Sequence, residues 1–174
     1  MKKYYVVSAV GRDRPGLINE VAHAVHALGG NIELQRSTRM ASEFALLMLF
    51  SCPADASADD AVGKLEALRR DDFFVAARAA LSEVADRPEG AQELEMIASG
   101  ADQPGLLDAA TLLLVQSGLN IESMDYDVEG APMTGEPLFR LHAKLAGPPG
   151  FDTKALREKL RTLEDEFNFD ILLR

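Results

Sequence analysis

At 174 residues the chain has room for one ordinary domain or two small ones, and 47% hydrophobic with 26% charged residues is an ordinary globular composition. No apolar run approaches the roughly 18 residues of a membrane helix, which argues against an α-helical membrane protein. The net charge is −10. Residues 1–90 hold 11 basic and 13 acidic side chains and residues 91–174 hold 7 and 15, so neither half has the basic face that direct nucleic-acid binding requires.

In chain order, Tyr4 to Val10 reads as a strand. With no leader-type apolar segment before it, the expected location is cytoplasmic. A helix is predicted from about Pro15 to Leu28, where Leu17, Val21, Ala24, Val25 and Leu28 recur at helical spacing, and Gly29-Gly30 stops it. A strand starts near Asn31. The next, Phe44 to Ser51, alternates Phe44, Leu46, Met48 and Phe50 onto one face. Cys52 is the only cysteine, excluding an internal disulfide, and reads as a packed hydrophobe. A second helix over Ala58 to Arg70 and a strand over Phe73 to Ala80 complete one unit.

The same series then repeats. Gly11-Arg12-Asp13-Arg14-Pro15-Gly16-Leu17 falls on Gly100-Ala101-Asp102-Gln103-Pro104-Gly105-Leu106, and Gly30-Asn31-Ile32-Glu33 on Leu119-Asn120-Ile121-Glu122. The second copy has six extra residues within its turn-rich stretch Glu129 to Pro137. Its strand places Phe139, Leu141, Ala143 and Leu145 on one face. Its second helix, Thr153 to Glu166, has Asp152 as N-cap, Phe151 and Leu156 as a hydrophobic staple, and Leu156, Leu160, Leu163 and Phe167 as a buried stripe. A strand from Asn168 to Leu173 closes it. The polar stretch from Ala85 to Ala91 reads as a linker, giving modules at 1–84 and 92–174. The expected class is α+β: two tandem ferredoxin-like βαββαβ modules, each an antiparallel sheet with both helices on one face. A module of that size buries little core and leaves a sheet face uncovered, so pairing, as a homodimer, is expected.

The repeated Asp-x-Pro-Gly-Leu loop places unpaired backbone amides and the positive end of a helix dipole together, a setting suited to an anion. Gly16 and Gly105 would let a carboxylate approach, and Pro15 and Pro104 would pre-set the first helical position. Asp13 and Asp102 have two possible uses, capping the helix or holding a ligand ammonium. The same loop is equally explicable as a tight turn with no ligand. Asn31 and Asn120 follow the first helices, where Asn is common in turns. If two modules abut, either Asn could complete the other's loop.

A βαββαβ unit with Gly-x-Asp-x-Pro-Gly-Leu before its first helix and Gly-x-Asn-Ile-Glu opening its second strand resembles the ACT domain, a regulatory amino-acid-binding module. Two such units filling the chain are similar to the glycine cleavage system transcriptional repressor family. The resemblance implies a cytoplasmic, non-enzymatic regulator that senses a small amino acid, glycine foremost, and acts on transcription through a DNA-binding partner protein. It implies a ligand site at Asp13, Arg14, Pro15, Gly16, Leu17, Asn31 and Ile32, and at Asp102, Gln103, Pro104, Gly105, Leu106, Asn120 and Ile121, with no cofactor. A ligand-free interaction module of the same fold is the alternative. The copies depart from each other where Arg14, a cation for a ligand carboxylate, is replaced by Gln103, and in the enlarged hairpin from Asp125 to Pro137.

The remaining candidates carry little. His23 and His26 lie beside Asn19, away from the apolar stripe, and two imidazoles alone leave a metal incompletely coordinated. The matching positions in the second copy are Leu112 and Val115, so that helix is apolar almost all round, which predicts an interface. His142 is expected on the open sheet face between Arg140 and Lys144. No nucleophile elbow, phosphate loop or zinc-helix motif points to catalysis, and no catalytic or metal-binding residue is assigned.

Overall fold

The computed structural model describes residues 2–54, 57–80, 89–131 and 135–174. The chain divides into two compact units, Met1–Asp86 and Arg87–Arg174. The first contains β1 (Lys2–Arg12), α1 (Leu17–Ala27), β2 (Asn31–Met40), β3 (Glu43–Pro53), α2 (Ala58–Glu66) and β4 (Phe73–Ala79). The second contains β5 (Gln92–Ala101), α3 (Leu106–Gln116), β6 (Asn120–Gly130), β7 (Pro137–Gly147), α4 (Thr153–Phe167) and β8 (Phe169–Leu173). Each folds into a four-stranded antiparallel sheet, ordered β2-β3-β1-β4 and β6-β7-β5-β8.

Period-two burial makes each sheet one-sided. Tyr5, Val7 and Ala9 on β1 join Phe44, Leu46, Met48 and Phe50 on β3 in one core, which Leu17, Val21 and Val25 of α1 and Ala61 and Leu65 of α2 cover. Leu94, Met96, Ala98, Phe139, Leu141, Ala143 and Leu145 meet α3 and the Leu156, Leu160 and Leu163 stripe of α4 in the same way. Burying each large apolar side chain contributes about 1.5–3 kcal/mol, so these stripes fix both helices to one face of their sheet. Phe167 packs at the margin of that core, half-buried, as does Phe151 before Asp152. The Asp152 carboxylate accepts from the amides of Lys154 and Ala155, the expected N-cap.

Both first helices end identically. Gly29 and Gly118 adopt φ of 67° and 80°. The amides of Gly29 and Gly30 bond to the carbonyls of His26 and Val25, and those of Gly118 and Leu119 to Val115 and Leu114. This is a Schellman ending, and it delivers Asn31 and Asn120 to the start of the following strand. One residue later the pairing of β2 with β3 slips between Ile32 and Leu34, and that of β6 with β7 between Ile121 and Ser123, so Glu33 and Glu122 occupy bulges.

Some boundaries differ from the sequence expectation. β1 extends to Arg12, because its pairing with β3 continues to Glu43. α2 stops at Glu66 rather than Arg70: Arg70 exchanges backbone bonds with Phe73 across Asp71-Asp72, which draws it out of the helix. Residues 85–88 of the expected linker and residues 132–134 of the enlarged hairpin lie outside the described residues.

Candidate functional site

The two β-to-α loops are near copies. Gly16 and Gly105 are the N-caps of α1 and α3, in the left-handed region at φ 96° and 89°. Their carbonyls accept from Glu20 and Ala109, each at 2.9 Å. Because the chain turns at glycine itself, α1 starts at Leu17, and Pro15 and Pro104 lie before the cap rather than at the first helical position that the sequence suggests. Nothing lies within 4 Å of the place a Cβ would occupy on either glycine, so the backbone is open to an approaching group. The first amides of each helix have no carbonyl one turn back to bond. In the second module the Leu106 amide bonds to the Gln103 carbonyl at 3.2 Å.

The acidic residues of the loops do not cap, since neither helix has a side-chain cap bond. Arg39 approaches Asp13 at 3.6 Å, and Tyr126 donates its hydroxyl to Asp102 at 2.6 Å. Burial first, and then the Asp102 carboxylate, push the Tyr126 phenol up to about 12. Arg14 is not free either. It pairs with Glu20 at 2.7 Å, and Arg70 reaches the other oxygen of the same carboxylate at 2.9 Å. Hydrogen bonds from Arg70, then Arg14, hold Glu20 below the usual carboxylate range. Gln103, in the matching place, donates to the Phe167 carbonyl at 2.8 Å.

Each module separates its candidate residues into two groups. Asp13, Arg14, Pro15 and Gly16 lie at the start of α1, whereas Asn31 and Ile32 lie past its end. An 11-residue helix spans about 16 Å at 1.5 Å per residue. Asp102, Gln103, Pro104 and Gly105 are separated from Asn120 and Ile121 by α3 in the same way. Within one module, the loop and the Asn are therefore too far apart to hold one small ligand. The side chains of Leu17 and Leu106 are in the core, so their backbone amides alone can serve. Asn31 leans on the Ile32 carbonyl at 3.4 Å and on Glu33, which takes the Ser51 hydroxyl at 2.6 Å and Lys2 at 3.2 Å. Bonds from Ser51, Asn31 and Lys2, in that order, lower the Glu33 carboxyl.

Sequence reasoning missed the residues that occupy the loop groups: Glu20, Arg39, Arg70 and Tyr126. A signal for one existed. Tyr126 aligns with Ser37 in the repeat, and a hydroxyl at the end of a phenol reaches Asp102 where serine would fall short. Gly11 and Gly100, the first glycines of the motif, prove structural: a methyl at Gly11 would collide with the Asp72 carbonyl oxygen and one at Gly100 with Phe169.

The family description "ACT domain" matches residues 3–70, from β1 through α2 of the first unit. Over these residues the first module is similar to an ACT domain. The second ACT-like module repeats its topology and its loop. A relative named glycine cleavage system transcriptional repressor, from Escherichia coli (strain K12), is 26% identical over 168 residues, covering 95% of this chain and 86% of its own. Its Shigella flexneri counterpart matches equally. A solved protein of unknown function from Galdieria sulphuraria superposes with a TM-score of 0.86 at 28% identity, covering 100% of this chain and 98% of its own. A provisionally named glycine cleavage system transcriptional repressor superposes at 0.69 with 23% identity, over 100% of this chain and 97% of its own, which shows a shared fold.

Among the described residues no group of three or more His, Cys, Asp and Glu is placed to hold a metal, and no helix is long and apolar enough to cross a membrane. His23 and His26 are exposed, as their helical positions require. His142 is half-buried on the open face, 2.8 Å from Glu95.

Proposed function

We propose that this chain is an amino-acid-sensing, non-enzymatic regulator that controls transcription through a DNA-binding partner protein. The observation that carries the reading is the repeated glycine N-cap. Two loops independently keep a left-handed glycine with open space beside it, at a helix end whose amides favour a carboxylate. The fold does not need left-handed glycine to start a helix, since α2 and α4 start on Ser57 and Asp152. A small zwitterion would place its carboxylate on the loop amides and its ammonium near Asp13 or Asp102. The Asn31 or Asn120 side chain of another module would close the site. The net charge of −10 disfavours direct contact with phosphates, which supports a route through a partner. The relatives named as transcriptional repressors support the regulatory class.

One set of observations favours a second reading, a ligand-free interaction module. The polar side chains of both loops already have internal partners: Asp13 with Arg39, Arg14 with Glu20, Asp102 with Tyr126, and Gln103 with Phe167. A thermal-shift panel of the common amino acids separates the two. A shift with a small amino acid, reduced in Asp13→Ala or Asp102→Ala, is the expected result. No shift with any amino acid would leave the interaction module as the function.

A further inference from the structure

The two sheets end in corresponding edge strands, β4 and β8, and the two edges are treated differently. In β8 the backbone bonds exchanged by Glu95 and Arg174 set the ladder, so Ile171 and Leu173 turn their N–H and C=O groups away from β5. Side chains of α4 take these groups up. The Ile171 N–H donates to the Glu164 carboxylate at 2.6 Å, and the Arg157 guanidinium donates to the Leu173 carbonyl at 3.0 Å. In β4 the bonds from Arg12 to Asp72 and from Ala80 to Tyr4 set the same alternation, so Val75, Ala77 and Ala79 turn theirs away from β1. Counted from the N-caps Ser57 and Asp152, the places of Arg157 and Glu164 fall to Val62 and Arg69 in the first module. Val62 has no side-chain donor. Arg69 has no acceptor and lies over the Phe74 ring at 4.6 Å. Among the described residues, nothing bonds to the outward groups of Val75, Ala77 and Ala79.

We infer that β4 is a docking edge for an extended, acidic segment of another protein, which adds to the first sheet as a further strand. A row of unpaired N–H and C=O groups is a template for another strand, and α4 removes that template in the second module. Successive side chains of an incoming strand point to opposite sides of the sheet, and β4 offers contacts on both. On the helix side Leu68 and Ala77 are half-buried at the margin of the core. On the open side Phe74 is exposed, Ala76 leaves room beside it, and Arg78 is exposed at the far end.

Charge selects the occupant. Arg69 and Arg78 flank the edge, and among the described residues neither guanidinium has a carboxylate partner. The carboxylates nearest in sequence, Asp71 and Asp72, precede β4 at the end away from Arg78. A strand that alternates apolar residues with carboxylates gives both arginines a counter-charge and gives Phe74 and Leu68 an apolar contact. A second copy of β4 fits worse, because pairing the same edge about a two-fold axis sets two cationic edges against each other. The inference does not rest on amino-acid binding at the loops, and its test contains no amino-acid ligand.

A display library of random short peptides, selected on the full chain, provides the test. The recovered peptides should alternate apolar and acidic residues, and in their presence hydrogen exchange at the Val75, Ala77 and Ala79 amides should slow. Ala77→Pro removes one outward N–H and leaves the ladder to β1 intact, so binding read by fluorescence anisotropy should weaken about tenfold. Arg78→Glu should weaken acidic peptides severalfold and favour basic ones. Arg161→Glu, the same charge change on an exposed position of α4, is the control and should leave affinity unchanged. If Ala77→Pro misfolds, the exchange pattern of the parent and Arg78→Glu decide. A library that returns no binder, binders rich in lysine, slowed exchange only outside β4, or a folded Ala77→Pro that binds unchanged overturns the inference. So does a homodimer of the parent that Ala77→Pro abolishes in sedimentation velocity, which would make a second copy the occupant.

Discussion

Tyr126→Phe isolates the contact that closes the second loop. The substitution removes the hydroxyl and keeps the ring, which stacks on Phe139 with centroids 5.6 Å apart and 12° between planes. What disappears is the 2.6 Å bond to Asp102. A hydrogen bond to a charged group contributes about 1.5–3 kcal/mol net, and the half-buried setting of both residues argues for the lower end. A loss of about 1.5 kcal/mol, or a fall of about 6–12 °C in the melting temperature of a unit this size, is expected. Tyrosinate absorbance gives an independent reading. An ordinary tyrosine ionises near 10, and Tyr126 in the folded protein at about 12. The raised value means that this stability is complete below pH 10 and is lost as pH rises toward 12, where the folded phenol also ionises. The variant should lack that part of the alkaline loss. If Tyr126→Phe melts with the parent and the parent phenol ionises near 10, the Asp102 bond does not hold the loop. The consequence for ligand follows: with Asp102 released, a ligand ammonium no longer competes with a phenol, and affinity at the second loop should rise.

Four further outcomes follow from the same contacts. Gly16→Ala or Gly105→Ala meets no atom and should cost about 1–2 kcal/mol through left-handed backbone strain alone. Gly11→Ala or Gly100→Ala forces strands apart and should cost more; urea midpoints in the reverse order would refute the structural role of the first glycines. Asp152→Ala should cost about 1 kcal/mol in chemical denaturation by removing the two hydrogen bonds that the backbone N–H groups of Lys154 and Ala155 donate to its carboxylate at the start of α4. The lowered carboxyls of Glu20 and Glu33 stabilise the fold above the ordinary value of 4.5 and lose that contribution as pH falls through their lower folded values. Acid unfolding followed by circular dichroism should therefore flatten in Glu20→Gln, and an unchanged profile would show that Arg14 and Arg70 gain nothing from it.

The fold was legible because each of its cues is local. Period-two runs such as Phe44, Leu46, Met48 and Phe50 need no tertiary knowledge to be placed on one face, and an Asp152 cap or a Gly29 ending is written within four residues. The loop was legible as a place, from the duplication of Gly, Asp, Pro, Gly and Leu. Its state was not. Arg14 faces Glu20, and the other oxygen of that carboxylate is held by Arg70, which is 50 residues from Glu20 along the chain and lies outside its expected helix because it pairs with Phe73. Whether Asp102 is available depends on the length of the side chain at Tyr126, 24 residues away along the chain. Long-range pairing of side chains has no period, so no pattern announced it.

Duplication makes the unread part interpretable, because one module serves as the control for the other. Positions that the fold needs are held in both: the core alternation, the Gly11 and Gly100 clearances, and the glycine endings of α1 and α3. Differences fall outside those positions. Tyr126 stands beside one loop where the other module has Ser37, Gln103 within it where the other has Arg14, and Val6, Val10, Leu34, Leu47, Leu49 and Phe74 on one open face correspond to Glu95, Ser99, Ser123, His142, Lys144 and Asp170 on the other. A change from Leu47 to His142 alters nothing in the core beneath it, since Met48 and Ala143 occupy the opposite face in each sheet. Such positions respond to what lies outside the module. The first module has more apolar side chains on its open face and a loop whose acid meets an exposed arginine, while the second has more charged ones there and a loop acid tied to a phenol. Equivalent perturbations in the two modules should therefore have unequal effects on binding and assembly even where their effects on stability are the same.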